Sequence, residues 1–281
     1  MEDVLKIMEW NIGKIDVDMK EARYDCLVNE IINQKADVVV LTEMTREQSK
    51  LLNRLLGHEE CNYAYAATSN QTPNGIAIIV SKEKVNKVFF EDIITYKKGG
   101  ENEEKEIYPD VLLANLYLKN NKTVCIMGTR FRNSGLTGKE RKLQIDKFVE
   151  CVKKYQPRLI IGDFNWDSAI AGTLESIKEN PEEMFCKMLR FNGKSKENTK
   201  RTQFQMWPSS EEIKEKELCS YIPVKNRDKT TCPDRVIYDN TVYDWKEGKE
   251  GKYSWVKDEN ENRLFDHAIL TCTLKIKNSC I

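Results

Sequence analysis

The stretch Asp37-Val38-Val39-Val40-Leu41-Thr42 constrains the fold of this chain more than any other. It is an almost unbroken apolar run rich in β-branched residues. A strand with one face in water alternates polar and apolar side chains, whereas a continuous apolar run suits a strand buried on both faces. The sheet that holds this run must therefore be covered on each side. Gly75-Ile76-Ala77-Ile78-Ile79-Val80-Ser81 has the same character. A chain of 281 residues is long enough to supply both covers.

The remaining elements indicate what the covers are. Further strands are predicted over 5–10, 85–95, 111–118, 123–129, 158–161, 235–238 and 268–276. Asn120-Asn121 supplies a hairpin turn between two of them. Apolar residues at helical spacing predict helices over 22–32, 47–56, 138–155, 169–179 and 182–191, and Pro157 stops the third. The acidic residues Asp16 and Asp18 are placed to cap the first. Some strands are thus separated by helices and others follow one another through hairpins, with no repeat at a fixed period. That mixture predicts an α/β chain with two packed mixed β-sheets flanked by helices, not one doubly wound sheet. No Pro-, Gly- or Ser-rich linker divides the sequence, so residues 1–281 are expected to form one domain. The polar stretch 193–231, with a Lys/Glu-rich patch at 211–217, is expected to be a long loop or insertion.

Charged residues make up 32% of the chain, yet their formal sum is zero. That argues against a nonspecific nucleic-acid coat and leaves room for a local basic groove. Lys194, Lys196, Lys200, Arg201, Lys225, Arg227 and Lys229 make the insertion locally basic, as either a polyanion-facing surface or a solvated loop. The nine cysteines contain no CxxC pair, which argues against a disulfide scaffold and a zinc site and suits reduced thiols. There is no apolar leader after Met1 and no apolar run of the roughly 20 residues that a membrane span needs. The expectation is a cytoplasmic protein, monomeric, with no membrane partner.

Five polar signals stand at the ends of predicted strands, where α/β proteins place their sites. They are Asn11, Glu43, Arg130 with Asn133, Asp163 with Asn165, and Asp266-His267. In extended geometry Asp163 and Asn165 point the same way while Phe164 packs behind. Such an oxygen-bearing pair suits a hard cation or an activated water; an Asx turn closing the strand is the other reading. One of only two histidines, His267, follows Asp266, and Asp234 opens another strand. A carboxylate-oriented imidazole serves proton transfer or anion stabilisation, or is simply structural.

Together these residues resemble the endonuclease/exonuclease/phosphatase superfamily of DNase I-like enzymes. Glu9-Trp10-Asn11 resembles the opening "TWN", and Asp37 to Glu43 resembles "PDVLxLQE". Gly75 to Ser81 resembles "GvaIlS", and Arg141 with Gln144 resembles "RxxQ". Gly162-Asp163-Phe164-Asn165 matches "GDFN" unchanged; Asp234 to Tyr238 resembles "iDyIf", and Asp266-His267 resembles "SDH". The motifs run in family order along nearly the whole chain.

The resemblance implies a four-layer DNase I-like sandwich and a phosphoric ester hydrolase dependent on Mg²⁺ or Mn²⁺. By resemblance, Glu43, Asn11 and Asp266 would hold the metal. Asp163 would activate the attacking water, Asn165 would bind a phosphate oxygen, and His267, held by Asp234, would stabilise the scissile phosphate. Arg130 stands where many members have histidine or tyrosine, and as a fixed cation would clamp phosphate, with Asn133 nearby. Phe265 replaces the serine of "SDH", and Gly13 stands where some nucleases carry an acid. The implied substrate is a phosphate ester, with nucleic acid as one candidate. A small-molecule phosphatase of inositol- or sugar-phosphate type, and a binding protein that has lost catalysis, are the alternatives.

Overall fold

The computed structural model describes residues 3–13, 20–56, 62–67, 75–94, 109–132, 136–174, 180–191, 202–215, 220, 231–246, 251–257 and 264–277. The Val38–Val40 run lies in a central strand, β2 (Val38–Met44), and is fully buried on both faces. Its parallel neighbour is β1 (Val4–Asn11) and its antiparallel neighbour is β4 (Gly75–Ser81). β3 (Tyr63–Ala67) extends the sheet beyond β4. Beyond β1 lies β13 (Ile269–Ile276), which also carries β11 (Tyr243–Trp245) and β12 (Lys252–Ser254).

The second sheet takes the hairpin-rich middle of the chain. Its order is β5 (Val85–Ile94), β6 (Asp110–Leu118), β7 (Thr123–Arg130), β8 (Leu159–Asp163), β10 (Asp234–Asp239) and β9 (Phe204–Trp207). β7 and β8 are parallel, because α3 (Gly138–Tyr155) crosses between them. The other pairs are antiparallel.

Period-2 alternation decides which side chains meet. Leu5, Ile7, Val38, Val40, Ile76 and Ile78 of the first sheet interdigitate with Leu112, Ala114, Ile126, Ile161 and Val236 of the second. The opposite face of the first sheet (Met8, Trp10, Val39, Leu41) is covered by α1 (Lys20–Gln34) and α2 (Arg46–Leu56) through Leu27, Ile31 and Leu52. That of the second sheet is covered by α3 and α5 (Pro181–Leu189), which bring Phe148 and Phe185 against Phe131 and Phe164. This is the four-layer sandwich expected.

The segment expected to be an irregular loop at 193–231 needs correction. Phe204–Trp207 is a strand paired with β10, and α6 (Ser210–Glu215) follows it. Phe204, Met206 and Trp207 are buried, so three anchoring side chains outweigh the polar surroundings. Most of the insertion's lysines lie outside the described residues, as do Asp16, Asp18 and Asn133.

Candidate active site

Strand register alone assembles one wall of the site. Asp110 of β6 faces Arg130 of β7, Arg130 pairs with Asp163 of β8, and Asp163 faces Asp234 of β10. In-register neighbours share a face of the sheet. Leu112, Ile126, Ile161 and Val236, two or four residues along, all point into the inter-sheet core. The four charged side chains therefore form one row at the end of that core. β7 and β8 meet closely because Gly162 has no side chain. A Cβ there would lie 1.8 Å from the Thr129 carbonyl oxygen.

The first sheet supplies the facing wall. Asn11 has the same parity as Leu5 and Ile7, so it points across the gap, where its Nδ2 donates to Asp163 Oδ2 at 2.9 Å. Its Oδ1 accepts from the Gly13 N–H at 3.0 Å, and Gly13 reaches that position at φ +51°. Alternation would turn Glu43 away, toward the helices. Instead the register shifts between Leu41 and Met44, and Glu43 sits at φ 57°. This bulge re-aims the carboxylate into the cleft. There Glu43 Oε1 accepts from Arg130 Nε at 3.2 Å and Nη2 at 2.5 Å.

Asp163 is held from several directions. Besides Asn11, the Asn165 backbone N–H donates to Oδ1 at 2.7 Å and the Asn165 amide to Oδ2 at 3.1 Å. Asn165 Nδ2 also donates to the Phe131 carbonyl at 2.8 Å. The sequence offered a choice between a pocket-facing pair and an Asx turn. The backbone contact shows that Asp163 makes the turn and faces the cleft at once. His267 Nδ1 lies 3.0 Å from Asp234 Oδ2. The Tyr253 hydroxyl fixes the Asp234 carbonyl at 2.9 Å.

Charge crowding sets the protonation of these groups. Burial and the charge of Asp234 raise Asp163 to about 7, against the opposing pull of His267 and Arg130. Burial by itself would discharge His267, but the Asp234 ion pair overrides it and the imidazole titrates at about 9. Burial likewise opposes the charge on Glu43, yet Arg130 beside it brings its pKa below the ordinary value.

The contacts and register thus bring Asn11, Glu43, Arg130, Asp163, Asn165, Asp234 and His267 into one cleft. Asp266 borders it beside Gly13: a Cβ on that glycine would stand 3.2 Å from Asp266 Oδ1. Arg130 turns inward to Glu43 and Asp110, not outward to Glu140. Both hydrogens of the Asn165 amide are engaged, which fits it to orient Asp163 more than to touch phosphate. Sequence reasoning missed Glu9 and Asp110. Glu9 was visible only as a glutamate at the "TWN" threonine position. Asp110 carries no local signal, since only the β6–β7 register places it opposite Arg130.

Comparison with known proteins agrees with this geometry. The sequence profile of the Endonuclease/Exonuclease/phosphatase family matches residues 8–178. The chain belongs to this family. Comparison with curated proteins gives no match. Among solved structures, a humanized TDP2 of D. rerio is similar at TM-score 0.68 and 16% identity, covering 97% of this chain and 99% of that one. An endonuclease/exonuclease/phosphatase from Bacteroides vulgatus is similar at TM-score 0.65 and 11% identity, covering 98% and 99%. The human nocturnin catalytic domain, with bound sulfate, is similar at TM-score 0.59 and 14% identity, covering 99% and 96%.

Two departures from the endonuclease/exonuclease/phosphatase pattern now have physical accounts. Phe265, in place of the "SDH" serine, packs edge-on against Trp10 with centroids 4.4 Å apart. The Trp10 indole donates to the His267 carbonyl at 3.3 Å, so an aromatic buttress stands behind the histidine. Gly13, in place of an acid, turns its N–H onto Asn11. Among the described residues no group of three or more His, Cys, Asp or Glu side chains is arranged to enclose an ion. Mg²⁺ does not need such a cage, since it binds through one or two carboxylates and keeps several waters. Glu43, a quarter exposed and with Oε2 outside the Arg130 hydrogen bonds, fits that requirement.

Proposed function

We propose that this chain hydrolyses a phosphodiester of nucleic-acid type with the help of Mg²⁺ or Mn²⁺. One observation carries the reading: Asp163, fixed by Asn11 and Asn165, lies in register with Asp234, whose partner is the charged His267. A positioned base and a positioned cation in one cleft are what phosphoryl transfer to water requires.

Asp163 orients the attacking water and accepts its proton on a carboxylate oxygen. Asn11 and Asn165 fix the direction of that carboxylate. With Nδ1 facing Asp234, the charged imidazole of His267 is held in place to stabilise developing negative charge on the phosphate. Glu43 and Asp266 would hold the divalent ion, which supplies charge neutralisation to the phosphate and its leaving oxygen. D. rerio TDP2 has been seen with a single-stranded DNA product, which supports a nucleic-acid substrate over an inositol- or sugar-phosphate for a chain of this fold.

The test is a substrate panel with Mn²⁺ or Mg²⁺: single-stranded and duplex DNA, RNA, inositol phosphates and a generic phosphodiester. Wild type is expected to cleave a nucleic acid, to lose activity in excess chelator, and to fall about 10²–10⁴-fold on Asp163→Asn. Activity in chelator, or turnover confined to phosphomonoesters, refutes the reading.

A further inference from the structure

Arg130 already stands on the carboxylate best placed to take a cation. Its Nε and Nη2 both donate to Glu43 Oε1, at 3.2 and 2.5 Å. Its Nη1 lies 3.7 Å from Asp110 Oδ2, and the other Asp110 oxygen is 3.4 Å from Arg132 Nη2. Glu43, Arg130, Asp110 and Arg132 thus alternate in sign and cancel. The Arg130 side chain is 10% exposed, and by register it also neighbours Asp163. A guanidinium stays protonated at any working pH, so this charge is permanent. Both Arg130 donors fall on one Glu43 oxygen, so Oε2 lies outside the Arg130 hydrogen bonds. A divalent ion on Oε2 need not displace Arg130, but must bind beside it.

We propose that Arg130 is a resident counter-cation that makes divalent-ion binding conditional on a phosphate anion, so that ion and phosphate bind with strong positive coupling. Like charges a few ångströms apart in a partly buried cleft repel strongly. Arg130 therefore weakens binding of the ion alone. A phosphate alone meets a row of carboxylates whose cations, Arg130, Arg132 and His267, are already paired with Glu43, Asp110 and Asp234. Bound together, the phosphate lies between two positive centres and removes both penalties. By linkage, the phosphate must then tighten the ion by the same factor as the ion tightens the phosphate. In this scheme Arg130 stays on Glu43 and acts by its fixed charge on the ion and on the phosphate beside it. The inference rests on the phosphoesterase reading above.

The experiment titrates Mn²⁺, followed by the electron paramagnetic resonance of the free ion, into wild type, Arg130→Gln and Arg130→Lys. Each titration is run with and without dimethyl phosphate. Wild type is expected to bind Mn²⁺ weakly, and about 10-fold or more tightly with dimethyl phosphate present. Arg130→Gln should bind Mn²⁺ alone about 10- to 100-fold more tightly than wild type, with little further gain from the phosphodiester. Arg130→Lys keeps the charge and should restore the coupling, which a purely structural ion pair would not predict. Equal Mn²⁺ affinity in wild type and Arg130→Gln overturns the inference while leaving the phosphoesterase reading intact. No Mn²⁺ binding by any of the folded proteins overturns both. If Arg130→Gln does not fold, the wild-type pair of titrations decides alone: absence of coupling overturns the inference.

Discussion

Glu9 carries its carboxyl group into the inter-sheet core, where among the described residues neither oxygen makes a hydrogen bond of good geometry and the Thr42 hydroxyl is a polar group beside it. Its register partners, Val40 and Leu270, are apolar. Burial raises its pKa well above the ordinary 4.5, and the nearby charges of Asp234 and Asp163 add to the effect. The folded protein therefore binds a proton that the unfolded chain releases above about pH 4.5. With more protons on the folded side, stability falls as pH rises through that window. His267 acts in the same sense. Its contribution is full below 6.5 and lost as pH rises through about 9. Glu9→Gln removes the first titration and keeps the shape. Melting temperature followed from pH 5 to 9 should show the variant more stable at the alkaline end, by about 1–3 kcal/mol, with a flatter slope. Parallel curves for the two proteins would mean that Glu9 is ionised in the fold after all.

At the scale of elements, what the sequence disclosed depended on whether a strand's own side chains specify it. β1, β2, β4, β6, β7, β8, β10 and β13 are legible because β-branched or alternating residues hold them in the double core. β3 reads Tyr-Ala-Tyr-Ala-Ala, with weak strand preference, and exists because it pairs along β4. β11 and β12 have three residues each and form only against β13. The site divides in the same way. Asn11, Glu43, Asp163 and His267 follow apolar runs or precede one, and are visible as motifs. The Asp110–Arg130–Asp163–Asp234 row depends on the register of strand pairing, across one hairpin and two longer connections. α3 is the element most fully specified locally. Thr137 accepts from the Glu140 N–H, and the Glu140 carboxylate accepts from the Thr137 N–H. On its buried side, Gln144 makes two bonds to the Arg132 backbone, at 2.9 and 3.1 Å, tying down the chain just after Arg130. Thr137→Ala should cost about 1 kcal/mol, read as a small drop in melting temperature, with turnover unchanged at low temperature. Gln144→Leu leaves buried backbone groups unsatisfied, costs about 1–3 kcal/mol, and should also strengthen binding of the divalent ion alone by loosening the Arg130 that opposes it. If both substitutions changed stability alone, the helix would have no bearing on the site.

For the whole molecule, charges that sum to zero give no long-range field to draw in a polyanion, so function depends on charges concentrated at one end of the sandwich. The two sheets present mostly acids there, and the balance among them should appear in the pH dependence of turnover. Asp163 must lose its proton to act as base, and in the metal-free protein it does so near 7. His267 must keep its proton to stabilise the phosphate, and it does so up to about 9. Turnover should therefore rise through the first value and fall through the second, with its maximum between them. A bound divalent ion, being positive, moves the acidic limb downward and leaves the alkaline limb dependent on Asp234. Asp234→Asn separates the two. Burial then acts on His267 with only the pull of Asp163 and Asp266 to oppose it, and the imidazole should lose its proton well below 9. Asp163 loses a repelling neighbour and should titrate lower as well. The window in which Asp163 is ionised and His267 charged moves to lower pH, so activity should fall by about 10²-fold or more near pH 8 and recover in part at lower pH. Loss of activity with the alkaline limb still near 9 would show that Asp234 holds His267 in place without setting its charge.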